Sequence, residues 1–62
     1  MYIVFFSTSN VFRTEEIFNE QGLECKVVPT PVQDKAYCGV CIEINQEFDK
    51  SLLEDMEHVI VE

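Results

Sequence analysis

Apolar positions along the chain fall into four short runs of strand character and two stretches of helical spacing. Tyr2-Ile3-Val4-Phe5-Phe6 is a continuous β-branched and aromatic run, the pattern of a strand covered on both faces or central in a sheet. Ser7-Thr8-Ser9-Asn10 offers consecutive N-cap candidates, and Val11, Phe12, Ile17 and Phe18 follow at spacings of three and four, so a helix begins here. Glu15 and Glu16 in its first half suit the positive end of the helix dipole, and Gly22 is placed to stop it. Leu23-Glu24-Cys25-Lys26-Val27-Val28 then alternates, with Leu23, Cys25 and Val27 on one side. Pro29 and Pro31 end this strand and force an extended loop through Tyr37. In Val40-Cys41-Ile42-Glu43-Ile44 the residues Val40, Ile42 and Ile44 face in, while Cys41 and Glu43 face the other way. From Asn45 or Gln46 a second helix is predicted, with Phe48, Leu52, Leu53 and Met56 as its apolar stripe and Asp49 near its start. His58-Val59-Ile60-Val61 is the last strand.

The order is β-α-β-β-α-β, the split βαβ plan. Right-handed crossovers turn that order into an α+β, ferredoxin-like sandwich in which an antiparallel sheet carries both helices on one face and the third strand lies between the first two. The other face stays open. Tyr2 or Ile3, Val28 and Ile60 are candidates to line it, and a homodimer through that face is one way to cover them. Residues 1–62 have apolar surface enough for a single core, hence one domain.

Composition narrows the partners. Twelve Asp and Glu against four Lys and Arg give a formal charge of −8, which repels phosphate backbones and anionic lipid heads, so neither nucleic acid nor a membrane surface is an expected partner. No apolar run approaches the length of a membrane span. The run from Met1 to Phe6 lacks the basic flank and length of a secretory leader, so a cytoplasmic setting is expected. Thiols stay reduced there, and three cysteines are an odd number, so they do not read as a disulfide framework.

The chemistry concentrates in Cys38-Gly39-Val40-Cys41. The predicted topology brings Cys38 to the edge of the sheet that carries Ser7, Thr8 and Ser9 and the first free amides of the first helix. A dipole end and hydroxyl donors favour the thiolate of a cysteine placed there, and Lys35 in the same loop would add to that. Pro29 and Pro31 would stiffen the loop, and Tyr37 would anchor it or gate Cys38. The CxxC spacing is that of a dithiol redox motif, but a strand start puts residues three apart on opposite faces. A turn at Gly39 would instead fold Cys38 over Cys41. Cys25 reads as a small core residue on the second strand, and His58 as a helix-terminal or strand-edge residue. A closed metal site would need Cys25 and His58 to converge on Cys38 and Cys41, so no metal and no cofactor is expected.

Several of these residues also carry a family resemblance. Strand one followed by Ser7-Thr8, a helix with Arg13, Glu15 and a closing Gly22, then Val28-Pro29-Thr30-Pro31 and Tyr37-Cys38-Gly39-Val40 resemble the selenium/sulfur carrier protein-like family over nearly the whole chain. The resemblance implies a carrier rather than a stand-alone enzyme, with Cys38 holding sulfur or selenium as a persulfide or selenopersulfide received from, or passed to, a donor or acceptor protein. Two departures stand out. Gln33-Asp34-Lys35-Ala36-Tyr37 replaces the arginine and serines usual in the family, and Cys41 replaces a small apolar residue, where it would supply a resolving thiol. The residues by themselves leave open a non-catalytic binding or dimerisation module and a thiol redox protein using Cys38 and Cys41.

Overall fold

The computed structural model describes residues 1–31 and 34–62; Val32 and Gln33, the latter part of the loop's departure from the family pattern, lie outside the described residues. The elements in order are β1 (Tyr2–Phe5), α1 (Thr8–Glu20), β2 (Lys26–Pro29), β3 (Val40–Glu43), a 3₁₀ turn (Lys50–Leu53) and β4 (His58–Val61). The strands form one antiparallel sheet in the order β2-β3-β1-β4. The run Tyr2–Phe5 is thus central, flanked by β3 and β4, which is why it is apolar at every position.

Register sorts the side chains onto two faces. Directly paired residues point the same way, so Val27, Ile42, Ile3 and Ile60 form one row and Val28, Cys41, Val4 and Val59 form the next on the opposite face. The first row meets α1: Ile3, Phe5 and Ile42 are fully buried with Val11 and Phe18 of the helix. Burying a side chain the size of Phe18 is worth roughly 1.5–3 kcal/mol, and its ring also packs on Phe48 at 5.2 Å between centroids. The open face is therefore lined by Tyr2, Val4, Val28, Cys41, Val59 and Val61. Ile3 and Ile60, expected there as candidates, face the helix instead, because each lies one residue out of step with Val4 and Val59.

α1 closes as Gly22 predicts. Gly22 has φ of +74°, its amide donates to the Asn19 carbonyl at 3.1 Å, and the Leu23 amide donates to Phe18 at 2.9 Å. Only glycine adopts that φ without cost, so the turn that starts the return to β2 is fixed by one residue.

Two expectations are corrected. Leu23 to Cys25 precede the second strand rather than forming it, and Pro29 is its last residue, paired with Val40. A proline is tolerated there because β2 lies at the edge of the sheet and needs no amide donor on its outer side. The second helix is absent: the sandwich has one helix, and Lys50–Leu53 make a single 3₁₀ turn. Asp49 caps that turn, its carboxylate accepting from the Ser51 amide at 3.0 Å and the Ser51 hydroxyl at 2.7 Å. Beyond Leu53 come Glu54, Asp55 and Glu57, acidic residues at what would be the negative end of a longer helix, and a segment this short gains too little to extend. The apolar stripe still packs, with Leu53 and Met56 buried and Phe48 and Leu52 half-buried.

Candidate functional site

The end of β1, the start of α1 and the start of β3 meet at one edge of the sheet. The Cys38 amide donates to the Phe5 carbonyl at 2.9 Å, outside the β1–β3 register, and fixes Cys38 beside the turn into α1. Its Sγ lies 3.0 Å from the Thr8 Oγ1, and the side chain sits in the core cluster with Phe5 and Val11. Thr8 is the first residue of α1. Ser7, the N-cap, makes no capping bond with its own side chain; its hydroxyl is paired with that of Ser9 at 2.8 Å instead. The first turn of α1 carries no carboxylate either.

Of the supporting residues expected from the sequence, Thr8 touches the thiol and Ser7 and Ser9 touch each other. Cys38 is not the exposed thiol that a freely docking carrier suggests: it is only 9% exposed. Gly39 is exposed, has no positive φ and has open space where a Cβ would stand, so nothing in packing or backbone geometry demands glycine. The turn that would fold Cys38 onto Cys41 is not made. Cys41 lies in β3 paired with Val4, on the open face, while Cys38 faces the helix, and all three cysteines are free thiols. Burial pushes the Cys41 thiol above its ordinary pKa, opposed by the nearby Thr30 hydroxyl and reinforced by Glu43 and Cys38.

The sequence alone gives Thr30 no weight, yet it organises the site. It is buried; its hydroxyl donates to the Cys38 carbonyl at 2.6 Å, and its amide donates to the Gly39 carbonyl at 3.0 Å. The visible signal is a hydroxyl residue between two prolines, where the backbone is already stiff and one donor fixes its neighbour. Asp34 is the second such residue. Its carboxylate accepts from the Ala36 amide at 2.9 Å and its carbonyl from the Tyr37 amide at 3.1 Å, a turn that delivers Tyr37 to the Phe6 ring at 5.4 Å. Lys35 is exposed in that turn.

Cys25 and His58 do not converge on this edge. Cys25 lies before β2, packed against the core, with its pKa raised by burial and then by Glu15; it borders an open cavity of about 730 Å³ with Asn19, Leu23, Glu43, Asn45 and Gln46, at the opposite end of the sheet from Cys38. His58 donates from Nδ1 to the Met56 carbonyl at 2.8 Å. Among the described residues no group of three or more His, Cys, Asp or Glu is placed to hold a metal ion, and no helix is long and apolar enough to cross a membrane.

The model of the family described as "Putative Se/S carrier protein-like" matches residues 1–61. The chain belongs to this family. No curated protein and no solved structure matches it. Membership covers every element of the sheet as well as the edge where Thr8 meets Cys38.

Proposed function

We propose that the protein carries sulfur or selenium on Cys38 as a persulfide or selenopersulfide, between a donor and an acceptor protein. The observation that carries this reading is the contact between Cys38 Sγ and Thr8 Oγ1 at 3.0 Å at the start of α1. The hydroxyl contact holds the sulfur at the first turn of α1 in one orientation, where it can meet a sulfane sulfur brought to this edge. Membership in a carrier-like family supports the same chemistry.

The transfer balances without an outside oxidant. The Cys38 thiolate attacks the outer sulfur of a donor persulfide, a new S–S bond forms at Cys38, and the donor's S–S bond breaks. The electron pair leaves on the donor thiolate, and the proton of the persulfide stays on the transferred sulfur. Delivery to an acceptor thiolate is the same exchange in reverse. The Cys41 thiol stands on the other face of the sheet, so discharge in this reading goes to the acceptor rather than to Cys41.

Intact-mass spectrometry after incubation with a cysteine desulfurase and cysteine, without reductant, tests the reading. The native chain gains one sulfur atom and the Cys38→Ser variant gains none. No gain in the native chain, or an equal gain in the variant, removes the proposal.

A second reading, a non-catalytic module that associates through the open sheet face, is favoured by Val59, which remains 37% exposed in the row with Val28, Cys41 and Val4. In that case Cys38→Ser leaves association unchanged and Val59→Glu abolishes it, as measured by sedimentation.

A further inference from the structure

Three large hydrophobic residues are markedly exposed among the described ones, and two of them border the Cys38 edge: Phe6 at 40% and Phe12 at 52%. Phe6 follows Phe5, whose carbonyl holds the Cys38 amide, and its ring pairs with Tyr37, the residue before Cys38. Phe12 stands one turn after Thr8 on the same side of α1, and helical side chains lean toward the turn before their own. That lean directs Phe12 toward the turn that carries Thr8.

We propose that Phe6, Phe12 and Tyr37 form a docking collar around Cys38 for a protein persulfide donor whose contact face is apolar with a basic rim. The inference rests on the carrier reading of Cys38 and adds to it the partner's chemistry. A thiol that is 9% exposed is poorly placed to meet a protein-bound persulfide by chance collision, so a surface that holds the donor against this edge fits its burial. Exposed aromatics are the side chains from which interface anchors are built. The basic rim follows from charge. Glu15 and Glu16 lie one turn beyond Phe12 and exposed Asp34 lies in the loop that carries Tyr37; of the nearby cations Arg13 is paired with Asp55, leaving Lys35, and the whole chain has a formal charge of −8. That charge steers a cationic partner in and pushes a second copy of the chain away.

The test compares two routes of loading, read by mass spectrometry on Cys38. Inorganic polysulfide needs no docking, whereas a cysteine desulfurase charged with cysteine does. Phe12→Ser, at a position half exposed to solvent, is expected to lower the ratio of desulfurase-driven to polysulfide-driven loading by about tenfold, the size of an anchor residue's loss. Phe6→Ser is expected to lower the same ratio, and circular dichroism melting of both variants checks that they are folded. Added salt is expected to slow the desulfurase route in the native chain. An unchanged ratio in both folded variants overturns the collar while leaving the carrier reading standing. Loading by polysulfide but never by the desulfurase also overturns it. Failure of polysulfide to load native Cys38 removes the carrier reading, and the collar falls with it. A concentration-dependent dimer that Phe12→Ser dissolves would assign the patch to a second copy and contradict the proposal.

Discussion

At the scale of single residues, the contact between Thr8 and Cys38 is the arrangement on which the proposed chemistry rests. A bond of this kind is worth on the order of 1 kcal/mol net. Thr8→Val, which keeps the shape and removes the hydroxyl, is therefore expected to lower stability in urea by about that amount. Thr8→Ser is expected to preserve it. Cys41 behaves differently. Burial raises its pKa in the folded chain, so the native state holds that proton at pH values where the unfolded chain has released it. The unfolded state binds fewer protons in that window, and stability must fall as pH rises above the ordinary thiol value of about 8.5. Cys25, also raised by burial, adds to the same slope. Urea melts between pH 7 and 10 are expected to show this alkaline loss, and Cys41→Val to reduce it. The topology predicted from the sequence brings Ser7, Thr8 and Ser9 to the edge that holds Cys38. The role of Thr30 is not legible there, because it acts through the Cys38 carbonyl, which it meets only once the loop is closed, and the local Asp34 turn does not by itself show that it brings Tyr37 to Phe6.

At the scale of elements, the strands and the first helix follow from local pattern, since each has an apolar period of its own and a stop residue. Gly22 is the clearest case. With φ at +74° and space around it, Gly22→Ala meets no clash yet must adopt a left-handed backbone, and a loss of about 1 kcal/mol in chemical denaturation is expected. Gly39→Ala has neither problem and is expected to leave stability nearly unchanged. The second helix is where pattern misleads. Phe48, Leu52, Leu53 and Met56 have helical spacing because all pack on one core, and a 3₁₀ turn followed by an irregular stretch presents them as well as a helix would. Asp49 holds that turn. Its carboxyl lies below the usual carboxylate range because the Ser51 hydroxyl and amide both bond to it. A depressed carboxyl stabilises the fold above its unfolded pKa and loses that contribution as pH falls through the folded value, so the turn is expected to loosen in strong acid and Asp49→Ala to remove this acid sensitivity.

At the scale of the whole molecule, a single helix covers one face of a small sheet, and the open face carries Val4 and Cys41, both fully buried among their neighbours, beside Val28 and Val59. The core has little to spare at this size. Phe18→Ala, which empties the space between α1, the sheet and Phe48, is expected to cost about 3–5 kcal/mol and to unfold much of the population at room temperature, as seen by circular dichroism. Which face each residue joins is not fixed by alternation alone at the strand edges: the register places Ile3 and Ile60 on the helix face, Ile3 within the core and Ile60 at its margin. Cys38 joins the core cluster under the helix while Cys41 lies in β3 on the other face, so the two thiols of the dithiol spacing are free and point to different sides. The central claim is that one thiol of three carries the cargo. Tandem mass spectrometry of the native chain after exposure to polysulfide, with alkylation of every thiol and backbone fragmentation between Cys38 and Cys41, which share one peptide, tests it most directly: a persulfide on Cys38 and not on Cys25 or Cys41 is the predicted result, whereas sulfur on all three, or on Cys41 alone, would contradict it.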